Sequence, residues 1–346
     1  MLPGTDSLTI VIGSYLEPDL VGRIEAAQPA ARVIYEPGLL PVPRYRCDHS
    51  APPRDLAAAD LDRWRSLAAQ ADVFFDFDWL DPHLMPTRSP RLRWVQATSA
   101  GINVVMRRTG LDRAPITVTT AGGIHGVPLA EFALAGVLHF IKGVPNLRRW
   151  QQARRWDLYA TRQLAGERAL VVGLGGIGRQ MAASFAALGV EVIGLGRDGR
   201  TYDVPGLSRV IYRDDLDAAL PQVGILILCC PLTPQTRGLI GREQLALLPP
   251  EAVLVNVARG EVVDQDALID VLAAGRLAGA CLDVVTPEPL PGDSPLWEMD
   301  NVLLSPHSAS TVATENARLT DLFLDNLDRF TSGQPLRNRY EPQRGY

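Results

Sequence analysis

The run Val171-Val172-Gly173-Leu174-Gly175-Gly176-Ile177-Gly178 decides the fold. Residues 169–172 are apolar and read as a buried strand, three glycines follow in the order G-x-G-x-x-G, and residues 179–188 read as a helix. Each glycine has its own physical task. Gly173 permits the tight turn, Gly175 lets the backbone approach a pyrophosphate, and Gly178 lets the helix pack against the strand. The helix N-terminus adds unpaired N–H groups and the positive end of its dipole. Alone the spacing is a weak signal, open to a purely structural reading; between a strand and a helix it predicts a dinucleotide site.

Outward from this turn the alternation repeats. Strands are predicted at 190–195, 224–230, 253–257, 278–284 and 302–304, with helices between most of them, as at 266–274. Such alternation predicts a parallel α/β sheet. The first hundred residues are proline-rich and irregular, with short strands expected at 8–12, 73–77 and 92–97. A helix is expected at 56–71, where Leu61, Trp64, Leu67 and Ala68 recur at helical spacing. Thr119-Thr120-Ala121-Gly122-Gly123 reads as a hinge. After it, Pro128 sits in the first turn of a helix whose Leu129, Phe132, Ala133, Gly136, Val137 and Phe140 share one face, with Gly143 and Pro145 as its stop. A last helix, about 312–330, carries Leu319, Leu322, Phe323, Asn326 and Leu327 on one side. It is expected to pack back on the N-terminal region, making that domain discontinuous.

The chain has 346 residues, 47% of them hydrophobic and 21% charged. That length predicts two domains at about 100–200 residues each, and that composition excludes a chain too polar to fold. With a net charge of −5 and a pI near 5.6 there is no basic surplus for nucleic acid or anionic lipid. The basic stretch from Arg148 to Arg155 reads as a solvated helix face or a subunit contact. Cys47, Cys229, Cys230 and Cys281 lack zinc-like spacing, and no other metal cluster stands out. Cys229 and Cys230 are adjacent in a strand, so they should face opposite ways. A reducing, cytoplasmic setting follows. No run approaches the roughly 20 apolar residues that span a bilayer, and no cationic stretch precedes residues 8–12 as in a signal peptide. Lys142 is the only lysine, which disfavours Schiff-base chemistry.

An NAD-type site wants an acidic residue at the end of its second strand, to accept from the ribose 2′-hydroxyl. That position falls on Gly196, and Arg197 follows. Loss of the carboxylate removes repulsion against a 2′-phosphate, and a guanidinium can pair with one. The reading leans to NADPH. Two alternatives stay open: Arg197 as a turn residue or adenine-stacking group, and NADH with Asp198 as the acid.

Three further segments end predicted strands: Asn256-Val257-Ala258-Arg259-Gly260, Asp283 to Pro289, and Ser305-Pro306-His307-Ser308. With the glycine run, and with Pro231-Leu232-Thr233-Pro234, Arg237-Gly238-Leu239-Ile240 and Pro295-Leu296-Trp297 between them, the chain from about Gly122 to His307 closely resembles the D-isomer-specific 2-hydroxyacid dehydrogenases. The first hundred residues match only loosely. The resemblance implies a Rossmann-type doubly wound parallel sheet at 119–309. It also implies a smaller, discontinuous flavodoxin-like α/β substrate domain from 1–118 and 310–346, the two flanking a cleft that closes about the hinge. It implies NADP or NAD as cofactor and hydride transfer between NAD(P)H and a small 2-keto acid such as glyoxylate or hydroxypyruvate. The helix from Pro128 matches the segment that family members use to form homodimers.

The implied catalytic set falls on Arg259, Glu288 and His307. The chemistry suits these residue types. Reducing a carbonyl leaves charge on its oxygen, which an imidazole can protonate; a carboxylate orients such a ring; a guanidinium holds the substrate carboxylate or polarises the carbonyl. In the oxidation direction His307 is the base. Backbone N–H groups of Ser99, Ala100, Gly101 and Ile102 are implied to hold the substrate carboxylate. Cofactor contacts are implied at Gly173, Gly175, Gly176, Ile177, Gly178, Arg197, Cys230, Pro231, Thr236, Val257, Ala258, Arg259, Asp283 and His307. Plainer roles compete: Arg259 as a carbonyl cap, Glu288 as a surface carboxylate, Asp283 as a loop cap, and residues 99–102 as an ordinary turn. His49, His83, His125 and His139 read as structural or exposed. Two functional rivals remain, a dinucleotide-sensing corepressor and, among enzymes, a phosphoglycerate dehydrogenase. Pocket walls in the N-terminal region are guessed at Trp79 and Leu80.

Overall fold

A computed structural model describes residues 7–342; residues 1–6 and 343–346, the outer ends of the expected substrate domain, lie outside the described residues. The chain divides into two compact units. Unit 1 runs to Ile124 and resumes at Thr311; unit 2 is His125–Ser310.

Unit 1 is built on five parallel strands, β1 (Thr9–Ile12), β2 (Arg32–Ile34), β3 (Val73–Phe75), β4 (Trp94–Gln96) and β5 (Thr117–Thr119), in the order β2-β1-β3-β4-β5. That is a flavodoxin-like order. The β-branched and aromatic residues of β1 and β3 are sealed on both faces, as an interior parallel strand requires. The helix Glu315–Thr331 closes one face. Its Leu319, Phe323 and Leu327 join Ile10, Ile12 and Trp94 in one core, with the Phe323 ring stacked on Trp94 at 5.1 Å. Asn326 in the same helix donates to the buried Gln96 side chain at 3.0 Å. Truncating a fully buried Phe of this kind typically costs about 3–5 kcal/mol, so the C-terminal helix is part of this unit's core.

Unit 2 holds seven parallel strands, β6 (Arg168–Val172), β7 (Glu191–Leu195), β8 (Leu207–Ile211), β9 (Ile225–Leu228), β10 (Val253–Asn256), β11 (Gly279–Leu282) and β12 (Val302–Leu304). Their order is β12-β11-β10-β9-β6-β7-β8, the doubly wound arrangement whose strand order reverses between β6 and β9. Cys230 packs on one face of the sheet with Leu228 and Leu254, Cys229 on the other with Ile227 and Val255. The helix Gly126–Ile141 carries Pro128 at its third residue and buries Leu129, Ala133, Gly136 and Val137. Gly143 ends it in the left-handed region at φ +64°. Pro145, expected to share in stopping that helix, instead starts a second one, Val144–Gln152, in whose first turn a missing N–H costs nothing. Among the described residues no single helix is long and apolar enough to cross a membrane.

Candidate active site

The register of the unit 2 sheet aligns the site. Leu195, Val172, Leu228, Asn256, Leu282 and Leu304 pair side by side across six neighbouring strands. One residue beyond that row stand Gly196, Gly173, Cys229, Val257, Asp283 and Ser305. The implied cofactor and catalytic residues of this unit therefore leave the sheet along one edge, at the carboxyl ends where ligands collect.

At the β6–β9 reversal the three glycines do different work. Gly173 has φ +102°, and a Cβ on it would lie 2.8 Å from the Cys230 backbone. A Cβ on Gly178 would lie 1.8 Å from the Gly173 carbonyl oxygen. The fold itself demands both. Gly175 is different: it is exposed, its φ is −79°, and a Cβ there would meet no protein atom within 4 Å. No protein contact requires glycine at this position, and it precedes the N-terminus of the helix Gly176–Ala187, which has no side-chain cap. These features fit a dinucleotide pyrophosphate. Ile177 is half-buried against the core, while Cys230, Val257 and Ala258 are buried walls. Burial pushes the Cys230 thiol up to about 11, so it is not a nucleophile at neutral pH. Thr236 ties its own loop by donating to the Pro231 carbonyl at 2.7 Å.

At the end of β7, a Cβ on Gly196 would sit 2.5 Å from the Tyr202 ring. The Tyr202 hydroxyl accepts the Arg197 N–H at 3.0 Å, and the Arg200 guanidinium lies over the ring, 5.3 Å from its centroid. A side chain at residue 196 would therefore have to displace the Tyr202 ring, and Arg197 and Arg200 both contact that tyrosine.

His307 and Glu288 meet directly: Nδ1 lies 2.8 Å from Oε2. An ionised carboxylate only accepts, so the Nδ1 proton points at Glu288 and Nε2 is the atom that can exchange a proton with a ligand. Among the described residues Nε2 has no hydrogen-bond partner. His307 adopts φ +54°, a left-handed conformation that needs its surroundings to hold it. Its N–H donates to the Asp283 carbonyl at 2.8 Å, and Asp283 Oδ1 accepts from the Ser305 hydroxyl at 2.7 Å and the Ala309 N–H at 2.9 Å. Of the two roles left open for Asp283, this is the loop cap. Arg259 leaves β10 in a loop held by Asn256, which accepts from the Ala258 N–H and donates to the Arg259 carbonyl. Its Nη1 donates to the Ala258 carbonyl at 2.7 Å; among the described residues Nε and Nη2 take no partner. Arg259 and Glu288 line the same depression of about 300 Å³.

Gln265 was not legible as part of this site. Its amide grips the Thr286 backbone at both ends, donating to the carbonyl at 2.6 Å and accepting the N–H at 2.9 Å, and so pins the loop that carries Glu288. Asn256 and Ser305 sat inside recognised segments without a stated role; nothing in the sequence pointed to Gln265 or Tyr202. In unit 1, Ser99, Ala100 and Gly101 follow β4 on an accessible turn, while Ile102 buries its side chain and leaves only its backbone to a ligand.

Comparison with known proteins shows the family. The family model described as D-isomer specific 2-hydroxyacid dehydrogenase, NAD binding domain, matches residues 134–309. The chain is 30% identical over 262 residues to glyoxylate/hydroxypyruvate reductase A of Salmonella newport, covering 74% of this chain and 82% of that one. Among solved structures it is similar to a D-isomer specific 2-hydroxyacid dehydrogenase of Xanthobacter autotrophicus in complex with NADPH and MES. That match has a TM-score of 0.78 and 31% identity, covering 99% of this chain and 100% of that one. It is also similar to an NADPH-dependent glyoxylate/hydroxypyruvate reductase of Sinorhizobium meliloti in complex with NADP and sulfate, with a TM-score of 0.76, 25% identity and coverage of 98% and 100%.

The glycine geometry yields a paired prediction. Gly175→Ala keeps the wild-type melting temperature but raises the dissociation constant for NADP(H) about tenfold or more, a loss of about 1.4 kcal/mol or more. Gly178→Ala destabilises the fold by about 1–3 kcal/mol. Thermal melts beside fluorescence titrations separate the two; a Gly175→Ala protein that binds cofactor normally refutes the pyrophosphate assignment.

Proposed function

We propose, because this chain belongs to the D-isomer specific 2-hydroxyacid dehydrogenase family, that it reduces a small 2-keto acid such as glyoxylate or hydroxypyruvate to the D-2-hydroxy acid, with NADPH preferred to NADH. The observation that carries this reading is the bonded His307–Glu288 pair in the same sheet-edge array as the Arg259 loop and the ligand-shaped glycine turn. A reduced nicotinamide, when bound, supplies the hydride that goes to the carbonyl carbon. His307 gives a proton from Nε2 to the carbonyl oxygen, completing the two-electron reduction, and Glu288 keeps the ring oriented through Nδ1. Arg259 offers Nε and Nη2 to the substrate carboxylate, a planar pair of donors suited to two-point recognition. In unit 1, the backbone amides of Ser99, Ala100, Gly101 and Ile102 are the donors this reading gives to a substrate carboxylate.

The NADPH preference rests on Gly196 and Tyr202, since an acid at residue 196 would have to displace the Tyr202 ring, and on the guanidinium of Arg197. Asp283 is assigned to the nicotinamide-ribose side in addition to its capping role. The four cysteines are free, consistent with work in the cytosol. A homodimer belongs to the same reading: Trp156 and Leu158, 95% and 98% exposed, form an apolar arm that a second copy would cover.

Three measurements test these assignments. NADPH oxidation is followed with a panel of 2-keto acids, and His307→Ala lowers kcat about 10²–10⁴-fold while NADPH affinity changes little. No turnover across the panel, or near-normal turnover by the variant, overturns the mechanism. Arg197→Ala lowers kcat/KM for NADPH about 10–100-fold, as loss of a charge-assisted hydrogen bond does, and leaves NADH kinetics nearly unchanged; a wild-type protein that prefers NADH refutes the cofactor choice. In sedimentation equilibrium the wild type is a dimer and Trp156→Asp/Leu158→Asp shifts it toward monomer, whereas a wild-type monomer removes the oligomer from the reading.

A further inference from the structure

Unit 1 also has an aligned sheet edge, with Gly13, Asp76, Ala97 and Thr120 one residue beyond the last row. Ile12, Phe75, Gln96 and Thr119 pair in one row across β1, β3, β4 and β5. The strand order reverses between β1 and β3, which is where open α/β sheets collect ligands. One residue past the row on β3 stands Asp76. It is fully buried and holds φ +67°, in the left-handed region that aspartate enters more readily than most side-chain-bearing residues.

The bonds of Asp76 explain the placement. Oδ2 accepts the Trp79 indole N–H at 2.8 Å, and Oδ1 accepts the Thr98 hydroxyl at 3.1 Å. Its own N–H donates to the Gln96 carbonyl at 2.8 Å. One buried carboxyl thus ties a half-buried tryptophan to the residue that opens the 99–102 loop. Burial pushes the Asp76 carboxyl above the usual carboxylate range, against the pull of the His49 charge and of the donors on Trp79, Phe77 and Thr98. An apolar residue would avoid that cost if packing were the only need. Asp78, two residues on, supplies the contrast. It is also buried, but it accepts from the indole of Trp64, a side chain 1% exposed in the core, and from the Leu80 N–H. Asp78 serves the core; Asp76 joins two elements that reach the accessible edge.

We propose that Asp76 is a positioning residue for substrate binding, which by holding Thr98 and Trp79 together sets the 99–102 loop in the conformation that takes the 2-keto acid's carboxylate. The proposal rests on the reading of that loop given above.

The test uses the full-length, cofactor-saturated protein, with oxamate as a non-reducible carboxylate probe in calorimetry and glyoxylate in steady-state kinetics. Asp76→Asn raises the oxamate Kd and the glyoxylate KM about tenfold, as loss of one charge-assisted hydrogen bond does, with kcat changed by less than about threefold and NADPH affinity unchanged. Thr98→Val moves both in the same direction, and the double variant is no worse than Asp76→Asn alone, because the two changes remove one shared contact. Asp78→Asn lowers the melting temperature and leaves the oxamate Kd at the wild-type value. If Asp76→Asn does not fold, Thr98→Val carries the test by itself. Wild-type oxamate binding in Asp76→Asn or Thr98→Val, or an equal Kd shift in Asp78→Asn, overturns the positioning role while leaving the enzyme assignment intact. A wild-type protein that neither turns over any 2-keto acid nor binds oxamate overturns the underlying reading and this proposal together.

Discussion

Parallel pairing is the constraint on which the site depends. In a parallel sheet every strand ends on the same edge, and hydrogen-bond register decides which residues end side by side. Here Leu195, Val172, Leu228, Asn256, Leu282 and Leu304 share one row, so Gly173, Val257, Asp283 and Ser305 start their loops at a common level. Arg259, Glu288 and His307 are then held by short braces rather than by long flexible loops. Asn256 closes the turn before Arg259, Gln265 pins the backbone before Glu288, and Asp283 caps the segment around His307. Such rigid support matters because a proton can pass only across a hydrogen-bond distance.

The same edge holds residues that the fold requires and residues that it does not. Gly173 and Gly178 are needed because neighbouring protein atoms occupy the space of a Cβ; Gly175 has open space around it, and no protein contact needs it to be glycine. His307 belongs with Gly175 in this respect. Its left-handed backbone costs about 1–3 kcal/mol for a non-glycine residue, and a glycine would remove that cost together with the imidazole. Keeping histidine there makes sense through the Nδ1 bond to Glu288 and the Nε2 atom it leaves available.

Every interior strand was legible in the sequence, together with one edge strand, β12; the remaining edge strands were not. Residues such as 169–172 and 253–257 are short apolar runs because both faces of an interior parallel strand are covered, and β12, at an edge, is legible because its Val302-Leu303-Leu304 is equally apolar. The three strands that no apolar run marks, β2, β5 and β8, are all at the ends of the strand orders and carry polar or mixed residues such as Arg32, Thr117 and Arg209. A similar division holds for the site. Chemistry-bearing residues at strand ends, Arg259, Glu288 and His307, stand in recognisable segments. The groups that hold them in place do not: Gln265 acts from the start of a separate helix, and Tyr202 reaches back over Gly196 from a turn whose path no local pattern encodes. Asp76 was hidden for the same reason, since its partners Trp79 and Thr98 come from different loops.

The two sheet edges are held in different ways. In unit 2 the turn after β6 offers three glycines and an uncapped helix N-terminus, while Tyr202 and Arg197 stand at the end of β7. In unit 1 the corresponding edge carries Gly13 but is braced by side chains, with Asp76 bonded to both Trp79 and Thr98 and His49 bridging Ser14 and Asn316. Side-chain networks respond sharply to loss of one member, because an unpaired buried carboxylate is costly. The bonds of Asp76 and the His307–Glu288 pair are built from separate units of the chain, so loss of one member of the unit 1 network leaves the bonds of the unit 2 set made.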